Sequence, residues 1–255
     1  MMEQNHIEES RVVLEVRDLH KSFGDNHVLN GFNMQLYQGE NLVIMGKSGS
    51  GKSVMIKCLV GLMEADSGFI SVMHNDITKL DHESLDILRR EIGFLFQGSA
   101  LYDSMTVREN LKFPMRWHTK KFGGEENQEK LVVEALENVG LAKAIELMPS
   151  ELSGGMKRRI ALARTLIMQP KIIIYDEPTS GLDPITAKEI VILMQKVQKQ
   201  YNTSSLIITH DVDCARVIAD RMVLLIDGVD YAVGTFAELS SSKDPKVKAF
   251  FKEEV

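Results

Sequence analysis

A mostly parallel α/β core, preceded by an antiparallel β layer and interrupted by an inserted helical lobe, is the fold class this sequence predicts. Three observations predict it. Continuous apolar runs recur at Asn41 to Met45, Ile92 to Phe96, Ile172 to Tyr175, Leu206 to Thr209 and Met222 to Ile226, as expected of strands covered by helices on both faces. Val12 to Val16 and Phe32 to Leu36 instead show broken alternation of apolar and polar residues, the pattern of half-exposed strands, with Gly24-Asp25-Asn26 as the turn between them. From Ala100 to Pro170 the pattern turns helical, with a polar break at Thr119 to Glu129 and a helix over Gln128 to Val139.

The remaining elements follow in chain order. Asn41 to Met45 runs into a glycine-rich turn, and Ser53 to Leu62 then reads as a helix ended near Gly61. Ser240 to Asp244 is a polar linker, and Pro245 to Val255 has the pattern of a short amphipathic helix. No internal repeat stands out.

Composition limits the function classes. A chain of 255 residues accommodates one large domain or a domain with a lobed insertion. With 44% hydrophobic and 26% charged residues it is an ordinary globular composition, and a net charge of −6 gives no reason to expect a nucleic-acid partner. Its apolar stretches are of strand length, whereas a membrane-spanning helix needs about 20 apolar residues. Met1 to Arg11 is polar and acidic, without the pattern of a secretory signal, so action in the cytoplasm is the expectation. Cys58 and Cys214 lie far apart with no CxxC or Cys/His cluster, which fits reduced thiols packed as small hydrophobes.

Gly46-Lys47-Ser48-Gly49-Ser50-Gly51-Lys52-Ser53 matches GxxxxGK[ST] between an expected buried strand and a helix start. Glycines let the backbone wrap phosphate oxygens, the N–H groups and helix dipole favour an anion, Lys52 supplies a point charge, and Ser53 can ligate Mg2+. The run Ile172 to Glu177 delivers two acids at a strand's C-terminal end, where open α/β sheets place ligands. Asp176 is the candidate for holding Mg2+, and Glu177 for polarising an attacking water. Pro178 then turns the chain out of the strand.

Leu152 to Met156 (LSGGM) opens a helix carrying Lys157, Arg158, Arg159 and Arg164, and supplies a second anion-binding helix start. One nucleotide does not need two such sites from one chain. At these residues the sequence closely resembles the ABC ATPase family, whose LSGGQ-type signature from one subunit closes over ATP held by the phosphate loop of the other. The resemblance implies a P-loop NTPase cassette with a RecA-like core, an N-terminal antiparallel β subdomain and an inserted helical subdomain. It would comprise an ATP-binding domain over residues 10–240, with the helical subdomain at about 100–170, and a linker and short helix over 241–255.

It also implies ATP and Mg2+ as cofactors and a head-to-tail homodimer with two ATP molecules in the interface. Phe23 in KSFG then looks like the aromatic residue that stacks on adenine, with Val28 nearby, and residues Gly46 to Ser53 with Val54 would hold the phosphates. Gln97 in FLFQ looks like the Q-loop glutamine, Ser180 to Asp183 resembles the D-loop across the dimer, and His210 in IITHD resembles the switch histidine. On this pattern Glu177, His210 and Gln97 are catalytic, Ser53, Gln97 and Asp176 hold the metal, and Ser153, Gly154, Gly155 and Asp183 act across the interface. The basic run Lys157 to Arg159 reads as the solvated face of a helix whose Met156, Ile160, Ala163 and Ile167 face inward.

Met156 stands where most cassettes have Gln, leaving the Ser153 hydroxyl and the glycine backbone donors in place. LSGGM followed by KRRIALAR, with Gly93 to Thr119 and LDPIT at Leu182 to Thr186, looks like the ATPase of Mla/MCE-type lipid transporters. That resemblance implies integral-membrane permease subunits, an MCE-domain lipid-binding protein, a small regulatory subunit, and a peripheral position on the cytoplasmic face of the inner membrane. Leu101, Tyr102, Met105 and Phe113 have two readings there, as contacts for the permeases' coupling helices or as internal packing of the lobe. Amino-acid, metal or lipoprotein cargo is the alternative. Soluble cassettes acting on ribosomes or DNA fit poorly, because one cassette is present and Ser53 to Leu152 holds no long heptad run. Glu177 and His210 argue against a non-hydrolysing regulatory cassette.

Overall fold

A computed structural model describes residues 11–251, apart from the side chains of Trp117, Thr119 and Lys120. The reading of the first ten residues, and the last four residues of the expected terminal helix, lie outside the described part.

Two sheets form the frame. The first is four-stranded and antiparallel, in the order β2 (Asn26–Tyr37), β1 (Val12–Phe23), β4 (Ser67–Val72), β5 (Asn75–Asp76). The second is six-stranded, in the order β10 (Val229–Gly234), β9 (Arg221–Ile226), β3 (Asn41–Met45), β8 (Ser204–Thr209), β7 (Ile172–Asp176), β6 (Ile92–Leu95). Every pairing in it is parallel except β9 with β10.

The continuous apolar runs have a direct explanation in the two cores. Leu42, Ile44, Ile172, Ile174, Leu206 and Ile208 point to one face, against the antiparallel sheet and the helix Lys52–Leu59. Val43, Met45, Ile173, Tyr175 and Ile207 point to the other, against the helices Gly154–Leu166, Pro184–Tyr201 and Val212–Ile218. A strand that feeds two cores has no face left for polar residues.

Both β1 and β2 extend well beyond the stretches whose alternation reveals them. Register shifts between Val16 and Leu19 and between Lys21 and Ser22 break the period of two, and Asp18 sits at the first with φ 48°. The helix ending near Gly61 closes as expected, with Gly61 at φ 65° and Leu62 N donating to Lys57 O at 2.8 Å.

Between β6 and β7 run the helices Val107–Lys112, Thr119–Phe122, Glu125–Asn138 and Gly154–Leu166. The polar break expected at Thr119 to Glu129 is therefore mostly helical, and the long helix starts at Glu125 rather than Gln128. Glu125 and Glu126 in its first turn complement the helix dipole, so polarity there marks a helix start and not a loop. Val107, Leu111, Val132 and Leu136 of this insertion join the same cluster as Ile173 and Tyr175 of β7. Cys58 and Cys214 are buried free thiols, and burial pushes the Cys214 thiol up to about 12.

Candidate functional site

The phosphate loop leaves the C-terminal end of β3 at the centre of the second sheet. Gly49 and Gly51 adopt φ 79° and 98°, a region closed to most side chains. Close packing adds to that at Gly51, where a Cβ would lie 2.9 Å from Val28 Cγ1. At Gly46 it would lie 2.4 Å from Ser50 Oγ. Val28 thus braces the loop from β2, while Val54 packs on the core behind it. Lys52 Nζ donates to Gly46 O at 2.6 Å and Lys47 O at 3.0 Å, folding over the loop. Burial pushes its ammonium down from the usual lysine range, against the pull of Glu177 and Asp176.

The two acids emerge from β7 beside this lysine. Burial pushes the Asp176 carboxyl up, neighbouring Glu177 adds to the rise, and Lys52 and Arg158 oppose it. Ser53 and Asp176 line the same groove. A hydroxyl and one carboxylate are a donor set suited to Mg2+, which fills its remaining positions with water and phosphate oxygens.

Glu177 is 9% exposed and takes φ 49°, unusual for a residue with a long side chain. Its N–H donates to Ile208 O at 2.8 Å, and its Oε2 lies 2.9 Å from His210 Nδ1. His210, at the end of β8, is otherwise open to solvent. Thr179 Oγ1 donates to Asp211 Oδ2 at 2.8 Å, tying the two strand ends together.

Not every expected residue converges here. Gln97 follows β6 and is exposed, and its Nε2 donates to Ser180 Oγ at 3.1 Å. Phe23 ends β1 and is 48% exposed, with Lys21 Nζ 5.6 Å from the centre of its ring. A cavity of about 620 Å³ opens beside the loop, lined by His27, Val28, Lys47, Ser48 and Gly49 and by Lys246 and Phe250 of the helix Pro245–Phe251. Phe23 is outside its lining.

The LSGGM segment forms a separate feature. Ser153 caps the helix Gly154–Leu166, its Oγ accepting from Met156 N at 3.2 Å, and Ser153 and Gly154 are exposed. Gly155 is buried, with no room for a Cβ: one would lie 2.5 Å from Thr186 Cγ2. Asp183 has a local task as well, accepting from Ile185 N and Thr186 N, each at 3.1 Å, to cap the helix Pro184–Tyr201. Bonds from Thr186 and then Ile185 hold its carboxyl below the usual range.

The expectation of a solvated basic face over Lys157 to Arg159 is wrong at Arg158. That side chain is 4% exposed and donates to Phe96 O at 2.7 Å and Ser180 O at 3.3 Å. The helix is buried on more than the face of Met156, Ile160, Ala163 and Ile167: Ala161, Leu162 and Thr165 are buried too. The unbroken apolar run Ile160 to Ala163 is the sequence signal of that second buried face.

The apolar residues of the insertion divide between their two readings: Leu101 packs against the core, while Tyr102 is 43% exposed with its ring 4.6 Å from that of Phe113. The groove that Ser53 and Asp176 line, of about 470 Å³, has Leu62, Arg89, Phe94 and Phe96 in its walls as well, of which Leu62 and Phe96 are exposed. Among the described residues no helix is long and apolar enough to cross a membrane.

Comparison with known proteins gives consistent results. A family model described as ABC transporter matches residues 29–180. The intermembrane phospholipid transport system ATP-binding protein MlaF of Haemophilus influenzae is 37% identical over 95% of this chain and 91% of its own. The probable ribonucleotide transport ATP-binding protein mkl of Mycobacterium leprae is 38% identical over 94% of this chain and 68% of its own. The methionine import ATP-binding protein MetN of Clostridium tetani is 35% identical over 95% and 75%. Among solved structures, cbiO1 from Clostridium perfringens, part of the ABC transporter complex cbiONQ, superposes over 95% of this chain and 96% of that one, with TM-score 0.84 and 30% identity. A dimeric ATP-binding cassette in a post-hydrolysis state with ADP and Pi superposes over 88% of this chain and 98% of that one, with TM-score 0.79 and 30% identity.

Proposed function

From its place in the ABC transporter family of ATP-hydrolysing cassettes, to which this chain belongs, we propose that two copies bind MgATP head to tail and drive separate permease subunits that move phospholipid. The observation that carries the two-copy reading is the presence of two unlike anion-binding starts in one chain. One has Lys52, Asp176 and Glu177 gathered around it, and the other, at Ser153, is exposed.

In this reading the loop Gly46 to Ser53 with Val54 cradles the phosphates, and Phe23 and Val28 flank the base. Ser53, Asp176 and Gln97 would hold Mg2+, which when bound would offset charge on the outer phosphates. Glu177 orients and polarises water, and His210, already bonded to it, steadies the carboxylate and reaches the γ-phosphate when the site closes. Ser153, Gly154, Gly155 and Asp183 of the partner complete the site. Closure is passed to the permeases at the groove of Leu62, Phe94 and Phe96 and at the exposed Tyr102, whose ring packs on Phe113. The chain then sits at the cytoplasmic face of the inner membrane, held there by its permeases, with an MCE-domain lipid-binding protein and a small regulatory subunit as further partners.

Phospholipid cargo rests on the match to MlaF, which spans nearly the whole of both chains. A second reading, another cargo such as methionine, draws on comparable identity to MetN and mkl, which this chain covers less completely. Affinity purification of the tagged chain from membranes separates the two. Recovery of an MCE-domain protein supports lipid transport, and recovery of a periplasmic amino-acid-binding protein refutes it.

A further inference from the structure

The helix Gly154–Leu166 offers the LSGGM segment outward, yet two of its side chains hold loops of their own chain. Arg164 donates to Ala100 O at 2.8 Å and Ser99 O at 3.3 Å. Arg158 donates to Phe96 O at 2.7 Å and Ser180 O at 3.3 Å. These carbonyls bracket Gln97 and stand at the head of Ser180 to Asp183.

Arg158 is the unusual member. It is buried, and its Nε finds no acceptor among the described residues. A buried guanidinium with an orphaned donor is a poor way to stabilise a fold, since an apolar side chain of similar length avoids the desolvation cost. Its geometry offers a better reason. The guanidinium is a rigid planar fork, and here its two terminal nitrogens reach different loops, fixing the distance between them. Gln97 Nε2 bonds Ser180 Oγ at 3.1 Å, so the two loops are also tied directly.

We propose that Arg158 is a positioning residue that binds the LSGGM helix, the Gln97 loop and the Ser180 to Asp183 loop into one moving unit. Engagement of nucleotide at a chain's own phosphate loop then sets the posture of the LSGGM segment it presents to its partner. The inference rests on the reading that two copies share two nucleotides. Coupling of this kind needs an element that both sites bias, and the linked loops are that element.

The test titrates the Glu177→Gln chain with MgATP, with and without Arg158→Met, and follows dimer formation by sedimentation. A fluorescent ATP analogue, used below the dimerising concentration, reports single-chain affinity. Arg158→Met is expected to raise the MgATP needed for half-dimerisation on the order of tenfold while single-chain affinity stays within about twofold. Arg158→Lys keeps the charge and loses the fork, so it falls between, and it carries the same test if Arg158→Met melts early. In the chain with Glu177 intact, the Hill coefficient of hydrolysis drops towards one. If Glu177→Gln alone stays monomeric in MgATP, the two-copy reading fails, and this inference with it. If it dimerises and the double variant does so at the same MgATP concentration, the role of Arg158 is overturned. A parallel fall in single-chain affinity also overturns it, because that reports general loosening.

Discussion

The phosphate loop and the LSGGM segment are both turns that open a helix, and their surroundings differ in kind. Around the loop, charge is gathered and partly buried: Lys52 over its carbonyls, Asp176 with a raised carboxyl, Glu177 in a left-handed conformation against His210. Around Ser153 the structure invests in shape, with a capping bond to Met156 N and a glycine at 155 that leaves no space beside Thr186. On the proposed reading, one half serves chemistry and the other presentation. Changes in the first should therefore disturb binding or bond breaking, and changes in the second should disturb only what the partner receives.

The sharpest separation comes from Glu177→Gln, expected to lower turnover by about 10²–10⁴-fold. ATP affinity should be retained, so phosphate release and analogue binding diverge; hydrolysis at the parental rate would remove Glu177 from the chemistry. Lys52→Ala should weaken nucleotide binding by about 10–100-fold, the size of a charge-assisted contact, in a direct titration. Unchanged affinity there would contradict the role given to the loop. Gly155→Val tests the other half, because the added atoms must push against Thr186 at a cost of about 1–3 kcal/mol. Hydrolysis should fall while single-chain ATP affinity holds, and the comparison breaks if both fall together.

The smallest effect is on stability. Because burial raises the Asp176 carboxyl above its ordinary value, the folded state binds its proton more tightly than the unfolded one. Its contribution to stability is therefore lost as pH rises through that raised value, and at neutral pH the charged form is a burden. Asp176→Asn should raise the melting temperature at pH 7 while hydrolysis drops. A lower melting temperature would mean that Lys52 and Arg158 outweigh the burial cost.

What could be read from the amino acids follows the same division. The core strands were legible because residues such as Ile172 to Tyr175 serve two cores and so are apolar throughout. The full length of β1 was hidden because its register shifts destroy the alternation that reveals a strand. Glu125 and Glu126 imitate a loop while starting a helix. In the site, the loop and its acids are carried by contiguous motifs, whereas Arg158 depends on contacts to Phe96 and Ser180, far from it in sequence. The turn of Gln97 towards Ser180 and the capping task of Asp183 are likewise tertiary facts.

The left-handed backbone at Glu177 sets durability against work. Such a conformation costs a non-glycine residue on the order of 1–3 kcal/mol, and glycine adopts it freely. In a copy of this chain released from the need to turn over ATP, Glu177→Gly would shed the carboxylate and remove that strain in the same step. The price of keeping the acid there is renewed by selection for activity alone.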